Sequence, residues 1–395
     1  MPSVWWRLGI TCAINRKSDV VPSKVVFALM VRAAGLLVML FVCGVRSAHA
    51  VDISDVPLES ALITPPPILM FVLDNSASMN LEFMTDAPQG LLNGACYLFP
   101  DSAYQPAPDH LLGRNHALTV EDRRLWQSQW AGYNRLYYSP QWHYAPWPST
   151  PTNFFAPADM QQPASDPLHQ GPGGVHMRLA LPFFSMLVGG VTTVTVPNAH
   201  YFTYYDADGN GRLDPDESIY LVTWTDRDLD GALDVSGSQT DDQRCYYRLV
   251  DDGDGLVEDN ELILVGNESE KNRIRPRVSC RKSSCRQLTD AEELQNFANW
   301  FTYYRRREFA AKAIVARYLS NLGQINVGLY AVNKSPRLEA QFIKGVSSPS
   351  DVAQADKERA GLMDALLPCR RAGAVACAGH WTKSDATWTR TLLHR

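Results

Sequence analysis

Six consecutive apolar residues, Ile68-Leu69-Met70-Phe71-Val72-Leu73, stop abruptly at Asp74-Asn75-Ser76-Ala77-Ser78. A run of that length, opened by Pro65-Pro66-Pro67, reads as a strand buried on both faces, the kind a parallel sheet is built from. It points to an open α/β sheet. In open sheets of that class ligands bind just beyond the carboxyl ends of the strands. There the chain puts one carboxylate and two hydroxyls on alternate residues: Asp74, Ser76 and Ser78. Hard oxygen donors of this kind suit Mg²⁺ or Ca²⁺ better than a soft transition metal. The same residues also suit an Asx/Ser turn that caps a following helix.

With 395 residues the chain has room for two or three domains and a sizeable core. Charged residues make up 20% and the formal net charge is −5, which leaves no basic footprint for nucleic acid. Residues 33–43 are apolar but too short to span a bilayer; Arg32 precedes them and Ser47-Ala48-His49-Ala50 offers a small–x–small cleavage pattern. Residues 1–50 are therefore expected to be an export signal, with Met30 as the expected true start, and the mature chain to lack a transmembrane segment. Cys12 and Cys43 would leave with it. Cys96, Cys245, Cys280 and Cys285 then form an even set in an exported protein, with Cys280 and Cys285 close enough to pair as a disulfide. No second Cys or His pair accompanies them to make a zinc site.

Residues 80–288 are rich in Pro, Gly, Asn and aromatics with little helical periodicity, and read as a long insertion. Residues 133–147 are strongly aromatic; packing is the favoured role, a stacking platform for sugars or partner chains the other. Strands are expected at 187–196, 199–205, 219–225, 245–250 and 261–265. Three acidic loops lie between or beside them. In the first, Asp206, Asp208, Asn210, Asp214 and Glu217 occupy positions 1, 3, 5, 9 and 12 of the EF-hand calcium pattern. Gly211 is the turn glycine and Arg212 stands at position 7, where the pattern uses a backbone carbonyl. Its flanks read as strands, so a calcium-pinned strand–loop–strand unit is expected in place of a helix-flanked sensor. The second loop keeps Asp226, Asp228, Asp230, Gly231 and Asp234 but has Gly237 where the bidentate glutamate belongs. In the third, Asp251, Asp252, Asp254, Glu258 and Glu261 remain, and Asp251 must substitute for Val250 at position 1. Weaker Ca²⁺ binding, or an acidic solvated turn, is expected at these two. Gly211, Gly231 and Gly255 recur at a spacing that suggests a degenerate internal repeat.

Thr289-Asp290-Ala291-Glu292 is a capping box. It opens what reads as one long amphipathic helix ending at Gly323, with a register slip after Tyr304 and with Arg305-Arg306-Arg307 as a solvated face. A strand at 325–332, an edge strand at 338–346 and a helix at 350–367 follow. Residues 51–79 and 289–367 thus make a partial α/β domain that the insertion interrupts.

Asp74-x-Ser76-x-Ser78 after a core strand resembles the first loop of the metal-ion-dependent adhesion site (MIDAS) of von Willebrand factor A (vWA) domains. The wider chain resembles the N-terminal region of the PilC/PilY family of type IV pilus tip proteins. Three stretches carry that likeness: Phe71-Val-Leu-Asp-Asn-Ser-Ala-Ser-Met79, Tyr133-Asn-Arg-Leu-Tyr-Tyr-Ser-Pro140 with residues 144–147, and Asn296-Phe-Ala-Asn-Trp-Phe-Thr-Tyr-Tyr-Arg305 with Ala311-Lys312-Ala313. It spans roughly residues 65–367. The resemblance implies an α/β fold with an incomplete, doubly wound vWA-like sheet, export to the pilus tip, pilus assembly with minor pilins, and adhesion to host or abiotic surfaces.

Two departures matter. After Leu366-Leu367 the family continues with a Gly-Gly-Thr-Pro-Leu-like loop whose Thr completes the metal site, whereas here a basic, aperiodic tail, 368–395, begins Pro368-Cys369-Arg370-Arg371. The family's C-terminal propeller has no counterpart either. Truncation or a frameshift after about residue 367 is the economical explanation. A sheet so shortened is expected to leave its core strand partly uncovered, so that the chain alone folds poorly or binds metal weakly through Asp74, Ser76 and Ser78. A disrupted-gene remnant is one alternative reading. A secreted calcium-dependent hydrolase is another, although the chain shows neither a nucleophile–base pair nor the Gly-x-Ser-x-Gly elbow around Ser76.

Overall fold

A computed structural model describes residues 67–368, except 88, 100–102, 106–116, 189–191, 227–229, 235–242, 259, 282–283, 333–337 and 344–348, together with 32, 34 and 35. Apart from residues 32, 34, 35 and 368, the expected export signal and the tail lie outside the described residues, as do Asp228 and the side chains of Cys280 and Cys285.

The chain mixes helices and sheets. Its strands are β1 (Ile68–Leu73), β2 (Tyr104–Gln105), β3 (His176–Met177), β4 (Pro182–Val188), β5 (Thr192–Pro197), β6 (His200–Tyr204), β7 (Ile219–Thr225), β8 (Gln243–Leu249), β9 (Leu262–Leu264), β10 (Arg277–Arg281), β11 (Ser284–Gln287), β12 (Ile325–Ala331) and β13 (Leu338–Ile343). Its α-helices are α1 (Val120–Arg124), α2 (Glu268–Ile274), α3 (Asp290–Tyr303), α4 (Arg307–Leu319) and α5 (Pro349–Leu366), and 3-10 turns cover Ala77–Asn80 and Trp126–Gln129. Among the described residues no helix is long and apolar enough to cross a membrane.

One sheet has the order β1-β12-β13, with β1 parallel to β12 and β13 antiparallel to it. Leu69 pairs with Val327, Phe71 with Leu329 and Leu73 with Ala331. On that face Phe71 and Leu73 pack against the main core, and the Phe71 ring meets Tyr318 of α4 edge-on. The opposite face is not buried as the apolar run alone suggests; the strand is partly uncovered, as expected of a sheet with so few strands. Ile68, Met70 and Val72 are 77%, 55% and 63% exposed, so β1 is covered on one face and open on the other. The reason is the missing layer: among the described residues nothing lies over this face, where Tyr330 of the central strand β12, paired with Val72, is exposed as well.

A second sheet, β6-β7-β8-β9, is antiparallel throughout. The period-2 alternation of its strands sends side chains to two separate cores. Tyr201, Val222, Trp224 and Tyr246 enter the main one, while Phe202, Leu221, Leu249 and Leu262 form a smaller cluster with Trp126, Val196 and Val257. The span 187–196, expected as one strand, is instead part of the β4–β5 hairpin, with Val188 paired to Thr192.

The main core runs from Leu81 to Leu367 and joins residues of the insertion to α3, α4 and α5. Helix α3 is its axis. Thr289 accepts the Glu292 N–H while the Glu292 carboxylate accepts the Thr289 N–H, the expected capping box. Leu294, Phe297, Trp300, Phe301 and Tyr303 are all buried. Polar α3 side chains fasten the aromatic segment to them. Asn296 Oδ1 accepts Tyr144 N at 2.7 Å, Trp300 Nε1 donates to Leu136 O at 2.9 Å, and Trp147 Nε1 donates to Tyr303 O at 3.0 Å. Tyr137, Tyr138 and Trp147 are thus buried packing elements, and Trp142 stays exposed.

The expected single long helix is two. Tyr304 ends α3 with φ −134° and ψ −14°, and the extended Arg306 opens α4. The register slip after Tyr304 marks this break. Nor do the three arginines form a solvated face, because Arg305 and Arg306 are buried.

Candidate functional site

The chain leaves β1 through Asp74, which is exposed, into a turn containing half-buried Ser76 and Ser78. Asp74 Oδ1 accepts the Ser76 N–H at 2.8 Å, an Asx-type contact that folds the carboxylate back over the loop. The Ser76 and Ser78 hydroxyl oxygens lie 2.8 Å apart. Ser76 is the N-cap of the 3-10 turn, yet its side chain makes no capping hydrogen bond. Both hydroxyls therefore face each other instead of the backbone. Neighbouring ligands of an octahedral Mg²⁺ at ~2.1 Å lie about 3.0 Å apart, so the pair is close to the spacing of two adjacent ligands, which is also that of an ordinary O–H···O hydrogen bond. Asp74 Oδ2 is the third oxygen this loop can offer.

The acidic loops are the hairpin connections of the second sheet. The first joins β6 to β7 and the third joins β8 to β9, so both leave from one end of the sheet; the second, between β7 and β8, leaves from the other. In the first loop Asp206 accepts the N–H groups of Gly209, Asn210 and Gly211 at 2.7, 3.1 and 2.8 Å. Glu217 accepts those of Ala207 and Asp214, at 2.7 and 3.1 Å. Asn210 binds Asp208 and Asp214 through its amide and accepts Arg212 N. Gly211 holds φ +75°, which a side chain would disfavour. The Gly211 N–H first, with Gly209 and Asn210, keeps the Asp206 carboxyl below its usual pKa. Oxygens of Asp206, Asp208 and Glu217 fall within 4.8 Å of one another. Ligands of one Ca²⁺ at ~2.4 Å are separated by no more than about 4.8 Å, so these three fit a single ion.

The third loop repeats that wiring with one residue fewer between the first aspartate and the closing glutamate. Asp251 accepts Gly253 N and Gly255 N, at 2.9 and 3.2 Å, and Glu261 accepts Asp252 N and Glu258 N, at 3.0 and 2.8 Å. Gly255 has φ +77°, matching Gly211. Asp251 thus holds the backbone position that Asp206 holds in the first loop. Oxygens of Asp251, Asp252 and Asp254 gather within 4.8 Å. Sequence spacing missed one further partner: Trp126 Nε1 donates to Asp251 Oδ2 at 3.2 Å, from 125 residues away.

The second loop is anchored in another way. Gln161 clamps the N–H and carbonyl of buried Leu233 at 2.6 and 2.7 Å, and Arg178 Nη2 reaches Gly231 O at 3.2 Å. Asp226 and Asp230 accept Gly231 N and Ala232 N. Among the described residues Asp226, Asp230 and Asp234 do not converge as the other two sets do.

Cys96 is disulfide-bonded and Cys245 keeps a thiol. Residues 280 and 285 lie on the facing strands β10 and β11. Behind the Asp74 loop sits a charged cluster that sequence reasoning did not find. Glu82 is fully buried; Arg305 Nε meets its Oε1 at 2.5 Å, and Leu98 N donates to its Oε2 at 3.0 Å. Comparison with protein families, curated proteins and solved structures gives no match to this chain.

Proposed function

We propose that this chain is the N-terminal region of an exported type IV pilus adhesion and assembly protein of the PilC/PilY kind, working by metal-dependent binding and not by catalysis. The observation that carries the reading is the pair of hydroxyls of Ser76 and Ser78, 2.8 Å apart beside Asp74 at the carboxyl end of β1. The parallel β1–β12 pair with antiparallel β13 at its edge suits the opening half of a vWA-like sheet. In that frame Asp74, Ser76 and Ser78 hold Mg²⁺ or Ca²⁺ and leave coordination positions to others. The ion supplies a Lewis-acidic point for an acidic side chain of a minor pilin or surface ligand. Three oxygens from one loop make a weak site, so affinity rises when the partner adds its own carboxylate. The first and third acidic loops have a separate role: Ca²⁺ there offsets carboxylate repulsion and stiffens two hairpins outside the cell.

The test is genetic and biochemical. A strain lacking the gene is expected to lose surface pili or adhesion, and an Asp74→Ala allele to restore pili less well than the wild type. Full restoration of both by Asp74→Ala rejects the metal-dependent contact.

A further inference from the structure

Three consecutive arginines at the α3–α4 break converge on the segment that follows the Asp74 loop. Arg305 binds Glu82, and its other two nitrogens donate to Phe301 O and Ser165 O, at 2.7 and 3.1 Å. Arg307 donates from Nε to Phe83 O at 2.6 Å and from Nη2 to Gly90 O at 3.0 Å, while its N–H reaches Leu81 O at 3.2 Å. Arg306 takes the remaining contact: its Nη1 donates to Asn80 Oδ1 at 2.8 Å. Asn80 closes the 3-10 turn, in which Met79 N donates to Ser76 O and Leu81 N to Ser78 O. Its amide also reaches Tyr97 OH at 3.4 Å, so Asn80 is gripped from two sides.

Arg306 is poorly served as a stabilising residue. It is 5% exposed, its Nε stands 3.8 Å from Glu82 Oε1, and neither Nε nor Nη2 has a hydrogen-bond partner among the described residues. Unmet buried donors cost stability, and apolar residues commonly replace buried ion pairs without loss. Such an arrangement gives orientation where it does not give stability.

The geometry points to Arg306 as the positioning residue of the candidate cation loop, acting through Asn80 on the turn that sets the spacing of the Ser76 and Ser78 hydroxyls. The inference rests on the reading of Asp74, Ser76 and Ser78 as cation ligands. It predicts that loosening Asn80 weakens the cation site without touching a ligand.

The experiment is an Mg²⁺ titration of the full chain in saturating Ca²⁺, followed by calorimetry and by the Mg²⁺-dependent shift in Tm. Asp74→Ala defines the signal that belongs to this loop. Asn80→Ala and Arg306→Gln are expected to lower Mg²⁺ affinity about 10–100-fold, the range for loss of an outer-shell contact. Arg306→Lys, which can still donate to Asn80, should recover part of it. A purely structural role would lower Tm without Mg²⁺ and leave the affinity unchanged, and that result overturns the inference. If Arg306→Gln does not fold, Asn80→Ala carries the comparison. A wild-type chain with no Asp74-dependent Mg²⁺ signal removes the reading of the loop and this inference together; a wild-type signal that Asn80→Ala leaves intact removes the inference alone.

Discussion

Two sets of carboxylates in this protein live under opposite rules. Asp206, Asp208, Asp251, Asp252 and Asp254 stand in solvent-facing loops, held by backbone N–H groups and by one another. Glu82 and Glu293 are fully buried, each against arginine: Glu82 with Arg305, and Glu293 with Arg244 as well as the Tyr201 hydroxyl. Arg244 also meets Asp290 at 2.8 Å, which ties β8 to the first turn of α3. In the interior a carboxylate must find its cation within the chain, because desolvation is too costly otherwise. At the surface water bears most of that cost, and the cation can come from outside. The interior set therefore fixes geometry, and the loop set can respond to ions.

The largest effect should come from splitting an interior pair. Glu82→Gln leaves Arg305 and Arg306 buried without their carboxylate and is expected to cost about 3–5 kcal/mol. A lowered urea midpoint at unchanged m would show it. An equivalent loss from Asp206→Asn in the absence of Ca²⁺ would break the contrast between the two sets.

Next comes His200, an interior group with no carboxylate at all. Burial lowers its pKa from 6.5 to about 4, against hydrogen bonds to the 197–198 backbone that raise it. Since the unfolded chain takes up the proton first, stability rises with pH across this interval. The contribution is whole above pH 6.5 and is lost as the pH falls towards 4, amounting to about 3 kcal/mol. Denaturation curves between pH 7 and 4 should slope accordingly, and His200→Asn should flatten that slope. A stability independent of pH in this window would place His200 outside the interior rule.

The contrast also explains what could be read from residue order. Strand β7 matches the expected 219–225, and the third loop keeps its closing glutamate, because local alternation and Gly-centred turns are sequence-near properties. The Gly189-Gly190 pair was an available sign that 187–196 is not one strand. The arginines are different. Their solvated reading fails because Arg305 finds Glu82 from 223 residues away, and no periodicity reports a partner at that distance. The open face of β1 could not be read from its own residues for a similar reason, and was expected only from the strands the sheet lacks. An all-apolar run says that burial is favourable, but only topology says whether a second layer is there to provide it.

Among the loops the expected effects are smaller. Ca²⁺ should raise Tm by several degrees, through preferential binding to the folded chain. Asp206→Asn should remove one part of that rise and Asp251→Asn another, whereas Asp226→Asn should change little, because Gln161 and Arg178 hold the second loop. Thermal melts with and without Ca²⁺ measure this. Equal losses from all three substitutions would mean that the second loop also gathers its carboxylates around an ion.

The smallest effect is also the one that tells the two matching loops apart. Among the described residues, only the third loop hydrogen-bonds a buried indole, through Trp126 Nε1 and Asp251 Oδ2, and Trp126 belongs to the smaller core shared with Val257 and Leu262. A cation drawn to Asp251 must share that oxygen with the indole or draw it away, changing the polarity at Trp126. A slight Ca²⁺-dependent shift in tryptophan emission is expected, preserved in Asp206→Asn and absent in Asp251→Asn and Trp126→Phe. A shift lost in Asp206→Asn but kept in Asp251→Asn would reverse the assignment, making the first loop the one whose ion is felt in the core.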